Sequence, residues 1–96
     1  MIPAKEAIVA AIAYFTDVYR DAPFKNILLE EIEMTADDKE WRITLGYDNE
    51  TTVSPLAHEL RTLGGFTKIP REYKTIAVST STGKVVAMKI RVLGNE

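Results

Sequence analysis

Residues 71–93 constrain the fold more than any other part of this chain. Ile76 and Val78 alternate on one side of Ser81-Thr82-Gly83, and Val86, Met88, Ile90 and Val92 alternate on the other. Apolar residues at period two mark a strand with one buried face. Gly83 stands where a three-residue hairpin loop needs a left-handed backbone. The pattern predicts strands over 71–80 and 84–93, with Ile76 and Val78 paired to Met88 and Val86. Lys89 and Arg91 then lie on the opposite face.

A second hairpin is predicted earlier. Residues 40–48 put Trp41, Ile43, Leu45 and Tyr47 on one face and Arg42, Thr44 and Gly46 on the other. Residues 26–34 are less regular: Leu28, Glu30, Ile32 and Met34 share one parity, and Ile27, Leu29, Glu31 and Glu33 share the other. Pairing Met34 with Trp41 and Ile32 with Ile43 sets Glu33 opposite Arg42, a favourable cross-strand pair. Residues 35–39 form the polar turn between them.

Residues 3–20 read as the main helix. Pro3 suits a first helical position. Ala4, Ile8, Ala11, Ile12, Phe15 and Tyr19 form one apolar face, widened by Val9 and Ala13, so the helix is expected to lie across a sheet. Pro23 ends it. Residues 49–70 are an insert with two readings. Ser54-Pro55 and Gly64-Gly65 bracket Leu56, Leu60 and Leu63 as a short amphipathic helix, and a long loop is the alternative. The predicted order is α-β-β-(short helix or loop)-β-β. One helix packs on a four-stranded antiparallel sheet, in a single α+β domain over residues 1–96.

Composition narrows the function classes. Twelve basic and fourteen acidic residues give a net charge of −2, which argues against nucleic-acid and anionic-membrane partners. The absence of cysteine removes disulfides, thiol nucleophiles and thiolate metal sites. Ile8 to Phe15 is apolar but too short to span a bilayer, and no signal peptide is recognisable. A cytoplasmic location is expected, and export is compatible with the composition. No catalytic constellation, metal-ligand cluster, phosphate loop or cofactor motif emerges.

One helix across a four-stranded meander is similar to the cystatin-like class of folds. The segments Leu29-Glu30-Glu31-Ile32-Glu33, Trp41-Arg42-Ile43-Thr44-Leu45-Gly46 and Tyr73-Lys74-Thr75-Ile76-Ala77-Val78, closed by Ser81-Thr82-Gly83-Lys84-Val85, resemble small bacterial PepSY-like proteins. The resemblance implies a binding or regulatory module, often outside the cytoplasm and often linked to peptidase control. The chain departs from that pattern in the 49–70 insert and in lacking an export signal. It also lacks the Gln-x-Val-x-Gly hairpin of cystatins, so inhibition of cysteine proteases is not implied.

The candidate sites are few. His58-Glu59 invites an acid–base or metal reading, but no second histidine exists and a surface pair on a short helix explains it. Glu30 shares its parity with the core residues Leu28 and Ile32. There it would be a buried carboxylate of functional interest, or would reach solvent at an edge, or would pair with Lys74. The face opposite the helix carries Glu31, Glu33, Arg42, Thr44, Tyr73, Thr75, Lys89 and Arg91, with Ile27, Leu29, Ala77 and Val85 among them. It reads as a solvated sheet face, as a binding surface for an acidic peptide or nucleic acid with Tyr73 as an aromatic contact, the nucleic-acid version weakened by the acids on one strand, or as a protein contact.

The leading expectation is a noncatalytic module binding a protein or peptide through Arg42, Tyr73 and Arg91 of that face and Leu60 and Arg61 of the insert. A ligand pocket or minor enzyme between helix and sheet, drawing on Tyr14, Glu30, Trp41, Tyr47 and His58, is the alternative. Homodimerisation through the edge strand 26–34 is the third.

Overall fold

The computed structural model of the protein describes residues 1–49 and 71–91. A helix, α1 (Ala4–Val18), is followed by β1 (Phe24–Met34), β2 (Glu40–Asn49), β3 (Arg71–Ser79) and β4 (Val85–Arg91). The strands form an antiparallel meander in the order β1-β2-β3-β4. The expected α+β architecture is therefore present. Asn49, placed in the insert by the sequence reading, ends β2; residues 50–70, with Leu60, Arg61 and His58, lie outside the described residues.

The helix packs on one face of the sheet, over β2, β3 and β4. Ala7, Ala11, Phe15, Ile43, Leu45, Tyr47, Ile76 and Val78 make the core. Small alanines let the helix backbone approach the sheet, while Phe15 fills the space toward the helix C-terminus. Burying such a ring stabilises the fold by roughly 1.5–3 kcal/mol. The buried stripe is centred on Ala7, Ala11 and Phe15, which corrects the wider face read from the sequence. Ile12 and Val9 turn away from the sheet, Val9 remaining 63% exposed. Alanine fits the close crossing where a larger aliphatic group would hold the layers apart.

The first hairpin has the expected register: Met34 opposes Trp41, Ile32 opposes Ile43 and Glu33 opposes Arg42. Its turn is built by Thr35, whose hydroxyl donates to the Asp37 carboxylate at 2.6 Å, and by the Lys39 amide, which donates to the same oxygen at 3.0 Å. These bonds hold the Asp37 carboxyl below the usual carboxylate range, the Thr35 hydroxyl contributing most.

The second hairpin turns with Gly83 at φ +73°, as its glycine demanded. Ile76 opposes Met88 as expected. Val78, however, opposes Val85 rather than Val86, because a bulge follows Ala77. Val85 thus packs on the core, and Val86 is left exposed.

The chain leaves the ladder at Thr80. Its amide donates to Lys39 O, its hydroxyl donates to Asp38 O at 2.8 Å, and its carbonyl accepts the Ile2 amide at 2.8 Å. Trp41 Nε1 also donates to Ile2 O. Both turns and the helix N-terminus are joined at this end of the sheet.

Candidate functional site: the outer sheet face

Two irregularities in β1 decide what the face away from the helix looks like. Asn26 and Ile27 together oppose Tyr47, and Glu30 has no partner between the pairs Leu29–Leu45 and Glu31–Thr44. Asn26 takes φ +56°, a conformation asparagine tolerates better than most residues, and its side-chain amide donates to Asp48 at 2.7 Å. The extra Glu30 reverses the parity of residues 27–29, and the irregularity at Asn26 and Ile27 restores it, so that Phe24 packs on the core. Leu28 lies in register with Gly46 on the outer face, while Ile32 and Met34 keep the inner one.

Glu30 therefore lies on the outer face of an edge strand and reaches solvent, as the edge reading has it, and not on the core face that its parity gives. Its partner is Arg71 at 3.2 Å, not Lys74. Lys74 lies on the helix side, with its ammonium 5.4 Å from the Tyr19 ring. An unbroken alternation would have put the Glu30 carboxylate on the helix side of the sheet, at a cost of several kcal/mol if buried and unpaired. Ile27 and Val85, expected on the outer face, pack on the core instead, and Leu29 stands in the Leu45 row; Ala77 is outer as expected.

Two arginines run flat across the outer face to the acids of β1. Arg71, on β3, reaches over β2 to Asp48 at 2.8 Å, Glu30 at 3.2 Å and the Asn26 carbonyl at 3.2 Å. Burial acts to lower its pKa, but the bonds and charges of Asp48 and Glu30 outweigh that and hold it above the ordinary value. Arg91, on the edge strand β4, reaches Glu31 on the opposite edge strand and donates to Thr44 Oγ1 at 3.1 Å on the way. Thr44 in turn shares a 3.0 Å hydrogen bond with Thr75. This strap leaves Thr44 only 2% exposed on a face that the sequence presents as solvated.

The three described residues of the expected contact set are thus on one face. Arg42 opposes Ala77, while Tyr73 sits in register with Gly46 and Arg91. Arg91 is committed to internal bonds. Arg42 and Lys89 make no side-chain hydrogen bond or ion pair among the described residues. They flank an open groove of about 460 Å³ whose floor is Thr75, Ala77 and Ala87, with Glu33 and Glu40 also on its rim. The small floor residues were visible in the sequence, but only the register shows them forming a trough between long cations.

The described residues of the alternative pocket, Tyr14, Glu30, Trp41 and Tyr47, do not converge. Tyr14 is exposed, Glu30 is on the other face, and Trp41 is bonded to the N-terminal backbone. Tyr47 is 1% exposed, and its phenol is pushed well above its ordinary pKa by burial first and then by the negative charge of Glu72. Among the described residues no cluster of His, Asp or Glu could hold a metal ion, and no helix is long and apolar enough to cross a membrane. No family model matches the chain, and no curated protein or solved structure matches it either.

Proposed function

We propose that this protein is a noncatalytic interaction module that engages a protein partner through its outer sheet face. The observation carrying this reading is the pair Arg42 and Lys89, two long cations without partners among the described residues, standing over a floor of small residues. The same face employs its other two arginines as internal straps. Cations left unpaired on such a surface are inexpensive in water and available to a partner's carboxylates. A regulatory role of the PepSY-like kind agrees with this reading, since such a module acts by being bound.

The test is capture from host lysate by tagged wild type and by the double variant Arg42→Glu/Lys89→Glu. Circular dichroism first confirms that both are folded. A stoichiometric partner held by the wild type and lost by the variant is expected. Equal capture by both removes the outer face from the reading.

A further inference from the structure

Around the groove the charges of the outer face are segregated by strand, Lys25 lying away from it at the Asp48 end of β1. The β1 edge carries Glu30, Glu31 and Glu33, and the β4 edge carries Lys89 and Arg91. The charges of the groove are nearly balanced: Arg42 and Lys89 stand with Glu33 and Glu40, and Arg91, which also lines it, is neutralised by Glu31. A purely acidic segment would gain from the two cations and be repelled by the two carboxylates. A surface with the opposite polarity across the strands satisfies both, and this same face, turned over, has that polarity.

We propose that the outer face binds a second copy of this chain, sheet to sheet, about a twofold axis parallel to the strands. The inference rests on the reading of this face as a protein-binding surface and names its partner. Such an axis lays β1 of each copy over β4 of the other and preserves height along the strands. Height follows from the register. Glu31, Thr44, Thr75 and Lys89 form one row, and Glu33, Arg42, Ala77 and Ala87 the next on this face.

Lys89 therefore meets the acidic edge of its partner, between Glu31 in its own row and Glu33 one row away. Those rows are about 7 Å apart along the strand, within reach of two long side chains. Glu33, like Lys89, makes no ion pair or side-chain hydrogen bond among the described residues of its own chain. Arg42 faces the row of its partner's Ala77, where the small floor leaves room for it between sheets about 10 Å apart. Each contact occurs twice, as a self-complementary interface requires.

The strand edges are poorer surfaces for the same purpose. β1 is interrupted by two bulges, and β4 has seven residues, a bulge and Lys89. Such irregularities break the row of free N–H and C=O groups that edge pairing needs. The outer face measures roughly 15 × 20 Å, so two copies bury less than the ~1,200 Å² at which standard interfaces begin. The dimer is accordingly weak and sensitive to salt.

Sedimentation equilibrium at about 1 mM protein in low salt tests the arrangement, where Coulombic contacts are least screened. Wild type is expected to dimerise there and to dissociate in high salt. Glu33→Lys alone and Lys89→Glu alone should each weaken dimerisation at least about tenfold, since each sets like charges together. An equimolar mixture of the two variants should dimerise again, because both contacts of a mixed pair then join an acid to a base.

Monomeric wild type, a dimer indifferent to both reversals, or a mixture that stays monomeric would each overturn the proposal. Both residues are exposed and have no partner among the described residues, so folding is expected to survive, and thermal melting checks it. If wild type is monomeric while a lysate partner is still lost from Arg42→Glu/Lys89→Glu, the face serves a different protein. If both experiments fail, the protein-binding reading falls with the dimer.

Discussion

Gly46 shows how one residue can fix a whole face. A Cβ built there would lie 2.7 Å from Glu30 Oε1, 2.8 Å from Glu30 Cγ and 3.0 Å from Arg71 Nη2. Glycine in a strand interior forgoes packing, and it recurs where something must come close to the backbone. Here that something is the Glu30–Arg71 pair, lying on β2 to reach between β1 and β3. Gly46→Ala should displace the pair and destabilise the fold by about 1 kcal/mol, the scale of a partly exposed ion pair and its packing. In a Glu30→Ala background the two closest atoms are gone and only the flexible tip of Arg71 remains near the new Cβ, so the same substitution should cost much less, and alanine's restriction of the unfolded chain offsets part of the remainder. Urea denaturation of the four proteins measures this coupling. Equal costs in both backgrounds would mean that Gly46 is not reserved for the Glu30 side chain.

At the scale of elements, β2 and β3 were legible because their alternation is unbroken. Trp41, Ile43, Leu45 and Tyr47 could only face one way, and their register with Met34 and Ile32 followed from the match of both faces. The edge strands were less legible for a shared physical reason. A bulge adds a residue without changing the local composition, so counting parity through Glu30 or Val86 gives the wrong face. The asparagine in left-handed conformation at position 26 was the available signal for the first irregularity. Glu30 itself offered the second, since a carboxylate at a core parity is less costly to bulge out than to bury. Arg42 and Lys89 of the candidate site were legible as residues but not as a pair.

The Arg91 strap was invisible in sequence because it joins residues 60 positions apart through Thr44. It ties the two edge strands together across the face. Arg91→Met retains much of the apolar stem and removes the charge. It should lower amide-exchange protection in β4 and in β1 near Glu31, leaving α1 unchanged, with a loss of up to about 1 kcal/mol. Uniform loss of protection across all elements would assign Arg91 to the global fold instead.

The whole molecule is closed at the helix C-terminal end by Phe15, Tyr19, Phe24 and Tyr47, with neighbouring ring centroids 4.4–5.9 Å apart. Tyr47 is the member that joins the layers. Its ring meets the helix through Phe15 and β1 through Phe24, and its register partner on β3 is Glu72. Burial and the Glu72 charge raise its pKa in the folded state, whereas the unfolded chain has the ordinary value near 10. The unfolded protein therefore releases this proton first as pH rises. The stability that Tyr47 supplies is complete below about pH 10 and declines as pH climbs from there toward the folded value. Urea midpoints from pH 8 to 11 should fall more steeply for wild type than for Tyr47→Phe, which has no phenol to ionise. At pH 8 the variant should already be less stable by about 1 kcal/mol, the net worth of a buried polar contact. Parallel pH profiles would show that the Tyr47 phenol ionises without opening this end of the fold, and the aromatic closure would then be looser than its geometry indicates.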